Sequence, residues 1–210
     1  MRLLLKQDEV DPESRDNAGR TPLSYAAGAI DGEGAVKLLL GREEVSPESR
    51  DNGGRTPLSH AASAYEGEGV VKLLLAREEA DAESRDNEGR TPLSHAAGAY
   101  TGEGALKLLL ECEEVNPESR DNAGRIPLSH AAGSYEGDRV VKLLLERVEV
   151  DPESRGNAGR TPLSRAAGVP WSLGAAKLLP QLEEVNRKRQ HDSTLTPPPK
   201  RLTGLGVRGH

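Results

Sequence analysis

The sequence returns to the same phrase every 35 residues. The phrase begins at Thr21, Thr56 and Thr91, has Ile126 in the first position of its fourth copy, and begins again at Thr161. It reads Thr-Pro-Leu-Ser, one variable residue, then Ala-Ala. A fixed period of 20–50 residues is the signature of stacked supersecondary units, each of which contacts only its neighbours. We therefore expect an array whose core lies between successive copies.

Each copy is predicted to contain two short helices. In the first copy, Thr21 is a helix N-cap and Pro22 occupies the first helical position, where its missing N–H costs no hydrogen bond. A Gly-rich turn at 28–34 precedes a second helix at 35–40, whose apolar residues share one side. Asp-Asn-Gly-Gly at 51–54 predicts a turn before the next copy. Helices this short are marginal alone, so they depend on packing between copies.

These residues resemble the ankyrin repeat. The resemblance rests on Thr-Pro-Leu-x-x-Ala-Ala, the Gly turn, Val-Val-Lys-Leu-Leu-Leu, and Asp-x-x-Gly-Arg before the next Thr-Pro, and it covers residues 1–186. The unit is two residues longer than the usual 33. The resemblance implies an all-α ankyrin solenoid of stacked helix–turn–helix units joined by extended loops and β-turns. The wording Glu-Ser-Arg-Asp-Asn-x-Gly-Arg resembles ankyrin arrays of filamentous fungi, including those at the C-termini of large NACHT-type receptors.

The copies divide the chain into a series of units. These are a partial N-terminal repeat (second helix and loop only) at 1–20, full repeats at 21–55, 56–90, 91–125 and 126–160, a degenerate C-terminal capping repeat at 161–186, and a disordered basic tail at 187–210. Because residues 1–6 contain a match to residues 37–40 of the second helix, we expect either an array that is ragged at this end or a fragment of a longer protein. In the later copies, Ile126 is expected to cost about 1 kcal/mol as a poor N-cap, and Pro180 to end the last helix at Leu179.

The charge and composition restrict the partners. The chain has a formal net charge of −6, and the six basic residues and one acid of 187–210 contribute +5, which leaves −11 on 1–186. Such an acidic array is a poor general ligand for nucleic acid. With 35% hydrophobic residues and no Phe, we expect neither a deep aromatic-lined pocket for a small-molecule substrate nor a cofactor. No apolar run is long enough to span a membrane. Cys112 is the only cysteine and there is no Asn-x-Ser/Thr sequon, which favours a reducing, cytoplasmic location.

Catalytic and metal-binding interpretations are disfavoured by the repetition. Ser and His are adjacent in three copies, but neighbouring helical residues point away from each other, and no third group is available to orient a base. His60, His95 and His130 lie one repeat apart, and stacked helices are about 8–10 Å apart. A zinc ion needs donors at about 2.0–2.1 Å. We therefore expect no enzyme and no metal site.

The resemblance implies that outward residues of the first helix, together with the loop tips, line a concave surface that binds proteins. Three columns of residues match those positions: Arg20, Arg55, Arg90, Arg125 and Arg160 before each cap; Tyr25, His60, His95, His130 and Arg165 after Thr-Pro-Leu-Ser; and Ala18, Gly53, Glu88, Ala123 and Ala158 at the loop tips. Tyr, Arg and His suit interface anchoring. The alternative for the Arg column is that it pairs with acids such as Asp16 or Asp51 and only holds the loops together.

The expected function is therefore that of a monomeric scaffold that binds partner proteins without covalent chemistry. The alternative is a fragment, or a sensing or spacer arm, of a larger NACHT-type receptor with no independent function. In the tail, two basic pairs resemble a bipartite nuclear localisation signal, although a solvated tail is the other interpretation. These pairs are Lys188-Arg189 and Lys200-Arg201.

Overall fold

The structure is a computed structural model that describes residues 11–135, 137–170, 172 and 174–180. The expected helix of the partial first repeat, most of the region after Leu179, and the nuclear-import candidates lie outside these residues. The described part contains ten helices and no β-strand. The helices are α1 (Pro22–Ala27), α2 (Glu33–Leu40), α3 (Pro57–Ser63), α4 (Glu68–Leu75), α5 (Pro92–Gly98), α6 (Glu103–Glu111), α7 (Pro127–Ala132), α8 (Asp138–Leu145), α9 (Pro162–Ala167) and α10 (174–180).

Threonine N-caps begin four of the five first helices. In each, the Thr is extended and its side-chain oxygen accepts a hydrogen bond of 3.2–3.3 Å from the N–H of the Ser three residues later. Ile126 makes no such bond, but its side chain is completely buried. Burial of a large aliphatic side chain stabilises by about 1.5–3 kcal/mol. The expected cost of the missing cap is therefore offset by apolar packing.

Glycine begins each of the second helices α2, α4, α6 and α8. A Cβ atom at Gly32 would lie only 1.9 Å from the carbonyl oxygen of Ala26, so the turn brings the two backbones too close for any other residue. An acidic residue follows at the first helical position, where its charge complements the helix dipole.

The helices form two rows. The first helices α1, α3, α5, α7 and α9 pack each against the next, and the second helices α2, α4, α6 and α8 do the same behind them. Between the rows lies a continuous apolar core, with residues such as Leu58, Leu93, Leu74 and Leu109 completely buried. Residue 180 is still helical, so Pro180 does not end α10 at Leu179, because the φ angle that the proline ring fixes is itself helical.

Polar side chains that recur in every copy join the loops of successive repeats. The backbone N–H of Asn87 donates to the carbonyl of Gly53, and its side-chain amide donates to the carbonyl of Asn52, both at 2.9 Å. Arg85 donates to the carbonyls of Gly89 and Arg120 at 3.0 and 2.7 Å. Equivalent bonds recur 35 residues before and after. The loops are thus fixed relative to one another, which positions the side chains at their tips.

Candidate protein-binding surface

An aspartate side chain bonds across the loop before each of the helices α1, α3, α5 and α7. In the third repeat, Oδ1 of Asp86 accepts hydrogen bonds of 2.9 Å from the backbone N–H groups of Glu88 and Arg90. The backbone N–H of Asp86 in turn donates to the carbonyl of Arg90 at 3.0 Å. This turn brings the Arg before the cap and the variable residue of the first helix close to the same carboxylate. We call the surface formed by these loops and the first helices the first-helix face.

The five arginines before the caps differ in what their guanidinium groups contact. Arg20, Arg90 and Arg125 form ion pairs with the Asp of their own loop, at 2.7–2.9 Å. Arg55 instead donates to the Ser59 carbonyl at 3.1 Å and to the Ser63 hydroxyl. Arg160 forms no ion pair with any described residue. Three of the five guanidinium groups therefore hold loops together while keeping part of their surface accessible.

The histidine column is largely buried rather than outward-facing. The side chains of His60, His95 and His130 are only 13%, 7% and 11% exposed, and each Nε2 lies 2.8–3.0 Å from an Asp carboxylate oxygen. Burial, together with the neighbouring guanidinium groups, lowers the pKa of His95 and His130 to about 4. For Asp86, burial alone would raise the pKa, but hydrogen bonds from Arg90 outweigh it and the pKa is lowered. The imidazoles at this column are therefore neutral near pH 7.

Tyr25 is the exposed member of this column. Its side chain is 62% exposed, and the guanidinium carbon of Arg20 lies 5.2 Å from the centre of its ring. Asp16 holds that guanidinium in place with hydrogen-bonded contacts of 2.7 and 2.9 Å. Tyr25 borders a cleft of about 320 Å³ between the first two repeats, to which Arg55 and His60 also contribute. A tyrosine, two guanidinium groups and an imidazole thus meet at one concave place.

The fifth loop differs from the other four. Gly156 stands where they have Asp16, Asp51, Asp86 and Asp121. Arg165, the fifth member of the variable column, is half-buried, and its Nε has no hydrogen-bond partner among the described residues. Burial and the nearby Arg125 lower the pKa of Arg165. A cleft of about 260 Å³ lies at this place.

The loop tips are exposed, and their backbone atoms couple the repeats. Ala18, Gly53, Glu88, Ala123 and Ala158 are all exposed. The carbonyl oxygens of the first four each accept a 2.9 Å hydrogen bond from the N–H of the Asn in the following loop. Side chains at the tips are therefore free to vary while the backbone stays fixed.

Serine and histidine side chains that are adjacent in the sequence have separate partners. The Ser59 hydroxyl lies 3.3 Å from the hydroxyl of Thr56, whereas His60 contacts Asp51. Within the described residues, no group of three His, Cys, Asp or Glu side chains is placed to hold a metal ion. Nor does any helix in this part of the chain have the length and apolar character needed to cross a membrane.

The partners of the histidines were not identified from the sequence. Each Asp precedes its His by nine residues, and only the folded loop brings them together. The sequence signal was available, because Asp and His recur together in the same three copies. A further exposed column lies on the inter-helix turns, at Ile30, Tyr65, Tyr100 and Tyr135, where the last two rings are 5.7 Å apart.

The two rows of short helices and their polar loop contacts define a helical repeat solenoid. The family model described as ankyrin repeats matches three copies in residues 29–121. Residues 29–121 are therefore ankyrin repeats, as the sequence predicted. Ankyrin repeats are in general modules for protein–protein interaction, not enzymes. Comparison with curated protein sequences finds no match.

Proposed function

We propose that this chain binds partner proteins non-covalently on the first-helix face, and that this face is the concave side of the array. The observation that carries the proposal is the cleft of about 320 Å³ bordered by Tyr25, Arg20 and Arg55. Interface hot spots are enriched in Tyr and Arg that lie in such concave places.

The electrostatics of this cleft favour an apolar or aromatic anchor over a basic one. The ring of Tyr25 already carries the Arg20 guanidinium on one face in a cation–π contact. Arg55 is partly buried, and burial lowers its pKa. A partner side chain that covers Tyr25 would bury apolar area at about 25 cal/mol per Å². The same side chain would also exclude water from the guanidinium groups beside Tyr25.

The proposal is tested with Tyr25→Ala, because Tyr25 is exposed and its loss leaves the core intact. The matched control is Tyr100→Ala, since Tyr100 is 57% exposed but borders a different cleft on the inter-helix turns. Pull-down with mass spectrometry should recover the same partners with the native chain and Tyr100→Ala, and lose them with Tyr25→Ala. Recovery of the same proteins with Tyr25→Ala would remove this cleft from the binding surface. His95 and His130 are poor choices for this test, because they are buried and bonded to Asp.

The remaining parts of the proposal concern the setting. We propose that the protein is a monomer in the cytoplasm and that its array is of the type found in filamentous fungi. We also propose that it enters the nucleus through the basic residues Lys188, Arg189, Lys200 and Arg201. The lone Cys112 supports a reducing compartment, and the net negative charge of residues 1–186 disfavours self-association. Imaging of the chain with and without residues 187–210 tests the location.

A further inference from the structure

The loop around Gly156 has the backbone of the preceding loops without their carboxylate. The N–H of Gly156 donates to the carbonyl of Arg160 at 3.1 Å, as the N–H of Asp121 donates to that of Arg125 at 3.0 Å. The turn is closed by a 2.8 Å hydrogen bond in both loops. The loop conformation is therefore kept although residue 156 has no side chain.

In the fourth loop, the Asp121 carboxylate satisfies four donors. Its Oδ1 accepts from the N–H groups of Ala123 and Arg125 at 2.9 and 2.8 Å. Its Oδ2 accepts from Nε of Arg125 at 2.7 Å and lies 3.0 Å from Nε2 of His130. One carboxylate thus binds two backbone amides through one oxygen, and a cation and an imidazole through the other.

In the fifth loop, the corresponding donors have no acceptor among the described residues, and Ala158 and Arg160 are exposed to solvent. Neither the N–H of Ala158 nor that of Arg160 has a hydrogen-bond partner among the described residues, and the guanidinium groups of Arg160 and Arg165 form no ion pair there. Arg165 occupies the place that His130 has in the preceding repeat, so a second guanidinium replaces the imidazole. These groups border the cleft of about 260 Å³, which we call the Gly156 pocket.

We propose that the Gly156 pocket binds a carboxylate of a partner protein, from an Asp or Glu side chain. The partner's carboxylate takes the position that the Asp side chain has in the other four loops, with one oxygen on the N–H groups of Ala158 and Arg160. Its second oxygen binds the guanidinium groups of Arg160 and Arg165. Charge-assisted bonds of this kind are about twice as strong as neutral ones. A single negative charge fits better than a phosphate dianion, because the Asp121 carboxylate lies in the adjoining loop.

This inference rests on the proposed function and adds a contact that fixes where the partner binds along the array. An array with identical loops offers a partner the same backbone contacts every 35 residues, so these contacts alone do not fix where the partner sits. The Gly156 pocket occurs once among the described loops. An acidic residue of the partner bound there would place the rest of the partner along the first-helix face, toward the Tyr25 cleft.

The test uses nuclear magnetic resonance of the ¹⁵N-labelled full chain at constant ionic strength. The probe is N-acetylglutamate α-amide, which has one side-chain carboxylate, and the neutral control is N-acetylglutamine amide. The amide signals of Ala158 and Arg160 should shift saturably with the first probe and not with the second. The amide of Ala123 is an internal control, because Asp121 already accepts from it.

Two variants make the test specific. Gly156→Asp supplies the carboxylate within the chain, on a backbone that accepts Asp in the other loops, and Arg165→Gln removes one charge. Each should weaken probe binding at least tenfold, whereas Tyr25→Ala should leave it unchanged. Three results would overturn the proposal. Gly156→Asp could bind the probe as tightly as the native chain, or the native chain could show no saturable shift at Ala158 and Arg160. The signals could also saturate with inorganic phosphate but not with the probe. Loss of partners by Tyr25→Ala is measured separately, so the two proposals fail independently.

Discussion

Replacement of Asp86 by Ala tests whether the loop carboxylates hold the array together. The Asp86 side chain is only 1% exposed. It accepts 2.9 Å hydrogen bonds from the N–H groups of Glu88 and Arg90 and from Nε of Arg90, and Nε2 of His95 lies at the same distance. Removal of the carboxylate therefore leaves two backbone N–H groups, a guanidinium and the imidazole without their acceptor.

The magnitude follows from how much water reaches each of these groups. Breaking a buried charge pair by removing one partner costs about 3–5 kcal/mol. The Arg90 side chain is 28% exposed and Glu88 lies at the surface, so water can replace part of what they lose. The His95 side chain is 7% exposed and stays unsatisfied. We therefore expect Asp86→Ala to lower the free energy of unfolding by about 3 kcal/mol, at the lower end of that range.

The measurement is equilibrium urea unfolding at pH 7.5, followed by circular dichroism. The matched control is Asp16→Ala, because the Asp16 side chain is 39% exposed, pairs with Arg20 and has no imidazole partner. An exposed pair of this kind contributes little to stability, because water solvates both charges. A loss below about 1 kcal/mol for Asp86→Ala, or a loss equal to that of Asp16→Ala, would refute the argument that burial makes this carboxylate important.

Two further predictions concern the histidines and the caps. His95 and His130 have a pKa of about 4 when folded and about 6.5 when unfolded, so the unfolded chain binds more protons between these values. The stabilisation from each neutral imidazole is then complete above pH 6.5, and the free energy of unfolding falls toward pH 4 by roughly 1.4 kcal/mol per pH unit for each imidazole. Measured by urea unfolding, the dependence of this free energy on pH should be shallower for His95→Gln. An unchanged dependence would contradict a buried neutral imidazole at His95. Thr91→Ala removes a buried N-cap bond of 3.3 Å and should cost about 1–2 kcal/mol by the same assay. Thr91→Ser keeps the hydroxyl and should cost less than Thr91→Ala; equal losses would contradict the capping role.

Much of the fold could be predicted from the sequence because its determinants are local. Thr91 before Pro92 and the apolar spacing after them are sufficient to begin a helix and orient its buried side. The 35-residue period then supplies the packing partner of that side. Outward or inward placement of His95 was not local, since it depends on Asp86, nine residues earlier, and on the turn that Asp86 closes.

Tyr25 shows the same dependence from the other direction. It occupies the column of His60, but Asp16 in its loop binds Arg20 instead of an imidazole, and the ring lies exposed beside that guanidinium. Tyr25 and His60 are thus equivalent in the sequence pattern, but the side chain of Tyr25 is exposed and that of His60 is largely buried. A variable position in an array is therefore not by itself a surface position. His60 bonds to Asp51 and lies against Gly28 of the preceding first helix, whereas no described first helix precedes α1.

Because the sequence repeats, each loop is a control for the others, and Gly156 is the one change among the five loops that removes the carboxylate the other four carry at this position. Ser-Arg-Asp-Asn in four loops becomes Ser-Arg-Gly-Asn in the fifth, where hydrogen bonds of 3.1 and 2.8 Å still close the turn. The substitution thus removes one negative charge and four acceptor contacts without a change in the loop. At Ile126, by contrast, the change is compensated within the chain, because buried apolar surface replaces the capping hydroxyl. At Gly156, the change leaves hydrogen-bond donors at the surface without a carboxylate. A partner protein can supply that carboxylate.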